Sequence, residues 1–194
     1  MNKFKYIFSV FALLLIACDS DDDGFYNTVY VQADELMTIE NPASAYSIGD
    51  VIQIEAHVPR LLDEPGQPQL LDVMQTTNAG SFQFSFVLER QNASGEWELV
   101  DLTGDYVAGT EGSANIGYYV QGFAEYDSIA DSYLYNGGIA LDQAGTYRLN
   151  FSNNTDFYNK VYFVSDSPGN NIVVNIFSSA SDLDASGTFQ FTVN

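Results

Sequence analysis

Few residues in this chain could do chemistry. It holds one histidine, His57, and one cysteine, Cys18. A Ser-His-Asp relay would have to run through His57, and no Gly-x-Ser-x-Gly turn exists to present a serine to it. A zinc site built on imidazole and thiolate needs more ligands than one of each. Acids are plentiful, 26 of 194 residues, yet no two stand out as the general acid and base of a glycoside-cleaving pair. Asp19-x-Asp21-x-Asp23-Gly24 matches the first half of a calcium loop. The bidentate glutamate needed at the twelfth position is absent, since that position is Tyr30. Asp127, Asp131, Asp156 and Asp166 are loop oxygens that a calcium ion could use instead, although single loop acids are ordinarily just solvated.

Aromatic residues carry the more specific signal. There are 13 tyrosines and 14 phenylalanines. Most phenylalanines alternate with polar residues and read as core. Tyrosines gather in irregular stretches, at Tyr118, Tyr119, Tyr126, Tyr133 and Tyr135. Residues 125–138 read as a loop, or a loop flanking a strand, rich in Tyr, Asp and Asn. Such side chains can stack on a sugar ring and hydrogen-bond its hydroxyls, because an aromatic ring combines an apolar face with a polar edge. Tyr126, Tyr133 and Tyr135 are therefore the candidate ligand-binding residues and are expected to be at least partly exposed. The competing reading is ordinary packing beneath long loops.

The elements that would position these residues are strands. Period-two alternation runs through Val51–Ala56, Phe82–Phe86, Trp97–Leu99, Tyr147–Phe151 and Phe189–Val193. Val161–Val164 and Ile172–Phe177 are continuous apolar runs, the pattern of strands covered on both faces. Asn92-Ala-Ser-Gly95 reads as a hairpin loop. Beyond the N-terminus no stretch longer than about ten residues keeps a helical apolar period. The expectation is all-β, a single antiparallel β-sandwich of roughly nine to eleven strands. Its core must stand without disulfides, since no cysteine other than Cys18 is present.

The N-terminus is a separate unit. A basic start with Lys3 and Lys5 precedes the apolar run Ile7–Ala17, then Cys18. Those 11 residues are too short to span a bilayer, which takes roughly 20. They have the form of a secretory signal. Leu15-Ile16-Ala17-Cys18 resembles the lipobox of bacterial lipoproteins, and Asp19-Ser20-Asp21-Asp22-Asp23 resembles the acidic export signal of surface-exposed lipoproteins of the Bacteroidota. That resemblance implies cleavage before Cys18, three acyl chains on its mature terminus, and outer-membrane attachment facing outward. More than one acyl chain gives stable anchoring. Residues 1–17 are then signal, 18–27 a lipidated acidic tether, and 28–194 the ectodomain. Asp127-Ser128-Ile129 resembles the O-glycosylation acceptor motif of exported Bacteroidota proteins, which would make Ser128 the modified residue.

Asp142-Gln-Ala-Gly145-Thr-Tyr147, followed by Arg-Leu149, resembles the corner before strand F of immunoglobulin-like domains. In that family the tyrosine hydroxyl bonds back to the preceding turn, and the residue two positions on enters the core. The resemblance implies the same for Tyr147 and Leu149 and makes Asp142, Gly145 and Tyr147 the fold-defining corner. Here Asp142 lies five residues before the tyrosine, where the family usually has four. Asp184-Ala-Ser-Gly-Thr-Phe189 echoes the motif 42 residues later, too close for a second sandwich.

Charge narrows the partners. Without the signal segment, Arg60, Arg90, Arg148 and Lys160 are four basic residues against 26 acidic ones, a formal net charge of −22. Nucleic acid and anionic membrane surfaces are disfavoured, because binding them rests on Lys and Arg. The leading expectation is a non-catalytic surface lipoprotein that binds a glycan or an extracellular protein. A structural or accessory subunit of an outer-membrane nutrient-uptake complex comes second, and a small glycan-degrading enzyme third. No cofactor is expected, apart from the calcium alternative.

Overall fold

The computed structural model describes residues 27–151, 160–166 and 170–194. The signal segment, Cys18, Asp19, Asp21, Asp22, Asp23 and Asp156 lie outside the described residues.

The chain begins with β1 (Asn27–Asp34), β2 (Met37–Glu40), β3 (Ala45–Tyr46), β4 (Val51–Pro59), β5 (Leu61–Leu62) and β6 (Leu71–Asp72). One helical turn, α1 (Val73–Thr77), follows, capped by the Asp72 side chain accepting from Gln75 N at 2.8 Å. Next come β7 (Ser81–Gln91), β8 (Trp97–Leu99), β9 (Tyr106–Ala108), β10 (Ser113–Ile116), β11 (Val120–Asp127) and β12 (Ser132–Ala140). The chain closes with β13 (Gly145–Asn150), β14 (Lys160–Ser165), β15 (Ile172–Ser179) and β16 (Thr188–Val193). The fold is all-β. Sixteen strands are present among the described residues, more than the nine to eleven expected. The excess lies in segments of two to four residues, most of which hold too little alternation to read.

One path of eight strands runs β1-β15-β14-β7-β11-β12-β4-β2. Its two ends are adjacent in sequence, since only Glu35 and Leu36 separate β1 from β2. Two residues span at most about 10 Å, so the sheet must curl until its edges meet. The junction is bonded to both sides: Leu36 N donates to Ser178 Oγ at 3.0 Å, and Leu36 O accepts from His57 N at 2.8 Å. Two pairings are parallel, β1 with β15 and β16 with β3, and correct the expectation of a wholly antiparallel sheet. Both add strands from distant parts of the chain, where no hairpin dictates an antiparallel return.

The longest strand, β7, belongs to two neighbourhoods. Its first half pairs with β11 and, at Gln83 and Phe82, with β14. Its second half pairs with β13 and β8, the latter across the Asn92–Gly95 hairpin with Gly95 at φ 84°. A side chain at every second position of β7 points inward, so Phe82, Phe84, Phe86 and Leu88 run through the core. Phe84 meets Tyr135 edge-on at 5.0 Å and Phe163 at 5.2 Å. Its ring lies over Gly122 of β11, where a Cβ would fall 2.6 Å from Phe84 Cζ. Among the described residues no helix is long and apolar enough to cross a membrane.

Candidate functional site

The segment 125–138 is a hairpin rather than a loop. β11 and β12 pair with Tyr126 opposite Tyr133, and residues 128–131 make the turn. Tyr133 and Tyr135 are 0% and 1% exposed, so the expectation that they meet a ligand is corrected. They occupy inward positions of β12, in register with Val58 and Ala56 of β4. Leu134 between them and Gly137-Gly138 after them break the apolar–polar alternation that would have marked them as inward in the sequence. Each hydroxyl is satisfied inside: Tyr133 donates to Ala79 O at 3.1 Å, and the Tyr135 and Tyr106 hydroxyls lie 3.1 Å apart. Burial pushes the Tyr133 phenol up to about 12 and the Tyr135 phenol higher still, the latter helped by its bond to Tyr106. Tyr126 is half-buried; its hydroxyl donates to Asp131, which raises its pKa.

The remaining acids and His57 have structural partners. Asp127 Oδ1 accepts from Ile129 N and Ala130 N at 2.7 and 2.8 Å, closing the hairpin turn. Ser128 is exposed on that turn, next to Ile129 at 96% exposure. Asp131 lies 3.6 Å from Arg60, which also grips Asp72 at 2.8 Å and holds that carboxyl below its usual range. Asp127, Asp131 and Asp166 do not converge, and among the described residues no group of three or more potential ligands is placed to hold a metal ion. His57 sits within β4, with Nε2 2.9 Å from Ser132 Oγ. Among the described residues no carboxylate bonds to the imidazole to complete a triad.

At the corner, Tyr147 is 5% exposed and donates its hydroxyl to Gln143 O at 3.0 Å. Leu149 and Phe151 are buried on the same face, at 0% and 3% exposure. Asp142 is exposed, and a Cβ at Gly145 would lie 3.0 Å from Arg90 Nε. The corner's echo ends beside it, because β13 and β16 pair with Tyr147 opposite Phe191.

A cleft opens where β14 leaves β7. After Val164 pairs with Gln83 and Ser165 with Phe82, the continuing β7 turns to β13 and a gap remains. The cavity is about 230 Å³. Gln83, Ser85, Gln121, Tyr162 and Val164 form its walls, with the core rings of Phe84 and Phe151 also lining it. Gln121 Nε2 donates to Gln83 Oε1 at 2.8 Å, and Asn115 Nδ2 donates to Gln121 Oε1 at 3.3 Å. Tyr162 packs on Phe177 at 5.0 Å, and Phe177 stacks with Tyr30 at 6.1 Å. Burial, and then the nearby Tyr30, raises the Tyr162 pKa. The lining contains no carboxylate, imidazole, thiol or amine. Sequence reading missed this site because its walls come from three strands far apart in the chain. The available signal was the polar half of the alternating strand, Gln83 and Ser85.

No protein-family model matches the chain, and no curated protein matches it. Among solved structures it is similar to the human F-spondin reeler domain, at 13% identity over 91% of this chain and 100% of that one, with a TM-score of 0.39. It is also similar to the type II cohesin dyad of the ScaA scaffoldin of Acetivibrio cellulolyticus, at 13% identity over 70% of this chain and 42% of that one, with a TM-score of 0.32.

Proposed function

We propose that this chain is a non-catalytic surface lipoprotein, held on the outer membrane by lipids on Cys18 and facing outward. Its residues 28–194 form an immunoglobulin-like β-sandwich that binds a ligand. The observation that carries the binding half is the chemistry of the cleft. Its walls offer amides, a serine hydroxyl and a phenol, which recognise, and no group with a pKa near neutrality to exchange protons in a reaction. A largely pre-formed, mostly apolar cavity with a few polar groups is the usual form of a ligand site. The Tyr147 hydroxyl bond to Gln143 O supports the immunoglobulin-like assignment.

The anchoring half rests on the lipobox-like residues Leu15–Cys18 and the acids that follow. Cells expressing Cys18→Ala and labelled with radioactive palmitate are expected to show no label on the protein and unprocessed, detached chain. Undiminished label and membrane association would overturn the anchor. Replacing Asp19, Asp21, Asp22 and Asp23 by Ala is expected to protect the protein from protease added to whole cells. Unchanged cleavage would overturn outward display by that signal.

A further inference from the structure

The cleft is the centre of a larger surface that the strand register defines. On the outer face of the sheet, one row of side chains crosses six strands: Tyr30, Asn175, Val164, Gln83, Phe123 and Ser113, each opposite the next. The neighbouring row is Gln32, Phe177 and Tyr162, then the cleft, then Ser85, Gln121 and Asn115. Six strands set five spacings of about 4.8 Å, so the two rows run roughly 24 Å across the sheet.

Nothing in either row is charged at neutral pH, on a chain of net charge −20. Charges appear in the flanking rows, at Lys160, which bonds Gln32, at Asp34, which accepts from Ser179, and at Glu125, which accepts from Ser113. Among the described residues, Arg60 pairs with Asp72 and Arg148 with Glu89, while Arg90 and Lys160 bond the neutral amides of Gln143 and Gln32. The two rows themselves therefore carry no cation with which to hold a phosphate, sulfate or uronate. It has instead flat rings, Tyr30 at 64% exposure stacked on Phe177 with 13° between planes, and amides that both donate and accept. One acceptor, Asn175 Oδ1, is left without a partner beside Tyr30, although Asn175 is only 6% exposed.

We infer that this track binds a neutral glycan chain lying across the strands, with part of it seated in the cleft between Tyr162 and Ser85. Aromatic faces pack against the C–H faces of sugar rings, and amides pair with hydroxyls, which likewise donate and accept. A peptide fits less well. Extended peptides bind by adding to an open strand edge, whereas these rows lie on a sheet face whose backbone groups are already paired. The inference rests on the reading of the cleft as a ligand site and names its ligand class.

The test uses the mature lipidated protein in detergent micelles. Affinity electrophoresis through amylopectin, mixed-linkage β-glucan, mannan and xylan is compared with polygalacturonate, chondroitin sulfate and gelatin. Retardation is expected by at least one neutral glycan and by neither anionic one. Tyr30→Ala and Gln121→Ala, both checked for an unchanged melting temperature, are expected to weaken that binding by roughly five- to tenfold, the scale of one aromatic or polar contact. Ile129→Ala, on the exposed hairpin turn, is expected to change nothing. Retardation only by the anionic polymers, or by none of the glycans, overturns the inference, as does neutral-glycan binding that survives both track variants. Retardation by gelatin alone overturns it too, yet leaves the ligand-binding reading standing.

Discussion

Tyr147→Phe removes one oxygen from the corner and leaves the ring in place. The ring's contacts survive: it stacks on Phe191 at 5.8 Å with 14° between planes, and Arg90 lies 5.8 Å from its centroid. What is lost is the hydroxyl bond to Gln143 O at 3.0 Å. Gln143 lies in an exposed turn, so water can replace the lost donor and the full penalty of an orphaned buried carbonyl does not apply. The expected cost is about 1 kcal/mol, the net worth of an ordinary hydrogen bond. For a domain of this size that is a fall in Tm of about 2–4 °C. Tyr147→Ala, which also removes the ring, should cost about 3–5 kcal/mol. Urea unfolding of wild type and both variants measures the two steps, with m held constant as the check that only stability has changed. If Tyr147→Phe is as stable as wild type, the hydroxyl bond contributes nothing to the fold. If it is as damaged as Tyr147→Ala, the hydroxyl does far more than one solvent-replaceable bond allows. Either result would refute the argument.

Tyr135→Ala is expected to destabilise by about 3–5 kcal/mol, because it empties the space against Phe84 and strands the Tyr106 hydroxyl. Tyr133→Ala should do the same through Phe82, 4.8 Å away. Thermal melts that move by less than a degree for both would return these tyrosines to the surface. Asp105→Asn is expected to raise Tm at neutral pH. Burial first, then the charges of Asp142 and Asp101, push the Asp105 carboxyl above its usual range. A carboxyl with a raised folded-state pKa costs stability while ionised, and that cost fades as pH falls through the folded value towards the unfolded one. The gain from Asp105→Asn should therefore shrink in acid; a gain that grows as pH falls would contradict the sign.

Features that depend only on neighbours along the chain were legible in the residues alone. Alternation at Val51–Ala56, Phe82–Phe86, Tyr147–Phe151 and Phe189–Val193 fixed strands and their inward faces, because side-chain direction in a strand follows from position alone. The Asn92–Gly95 turn was legible for the same reason, a local backbone requirement met by a local residue type. The lipobox-like residues were read in the same way, as a short linear pattern. Tertiary structure decided whatever depends on which strands become neighbours. Local composition at 125–138 suggested a loop and exposed tyrosines, but pairing of β12 with both β4 and β11 turned Tyr133 and Tyr135 inward. The parallel edge strands could not be read either, since parallel pairing leaves no hairpin signature. The cleft exists only because β7 changes partners from β14 to β13, and its walls at residues 83–85, 121 and 162–164 meet across about 80 positions of chain. Register, not composition, aligned their uncharged outer faces into one track.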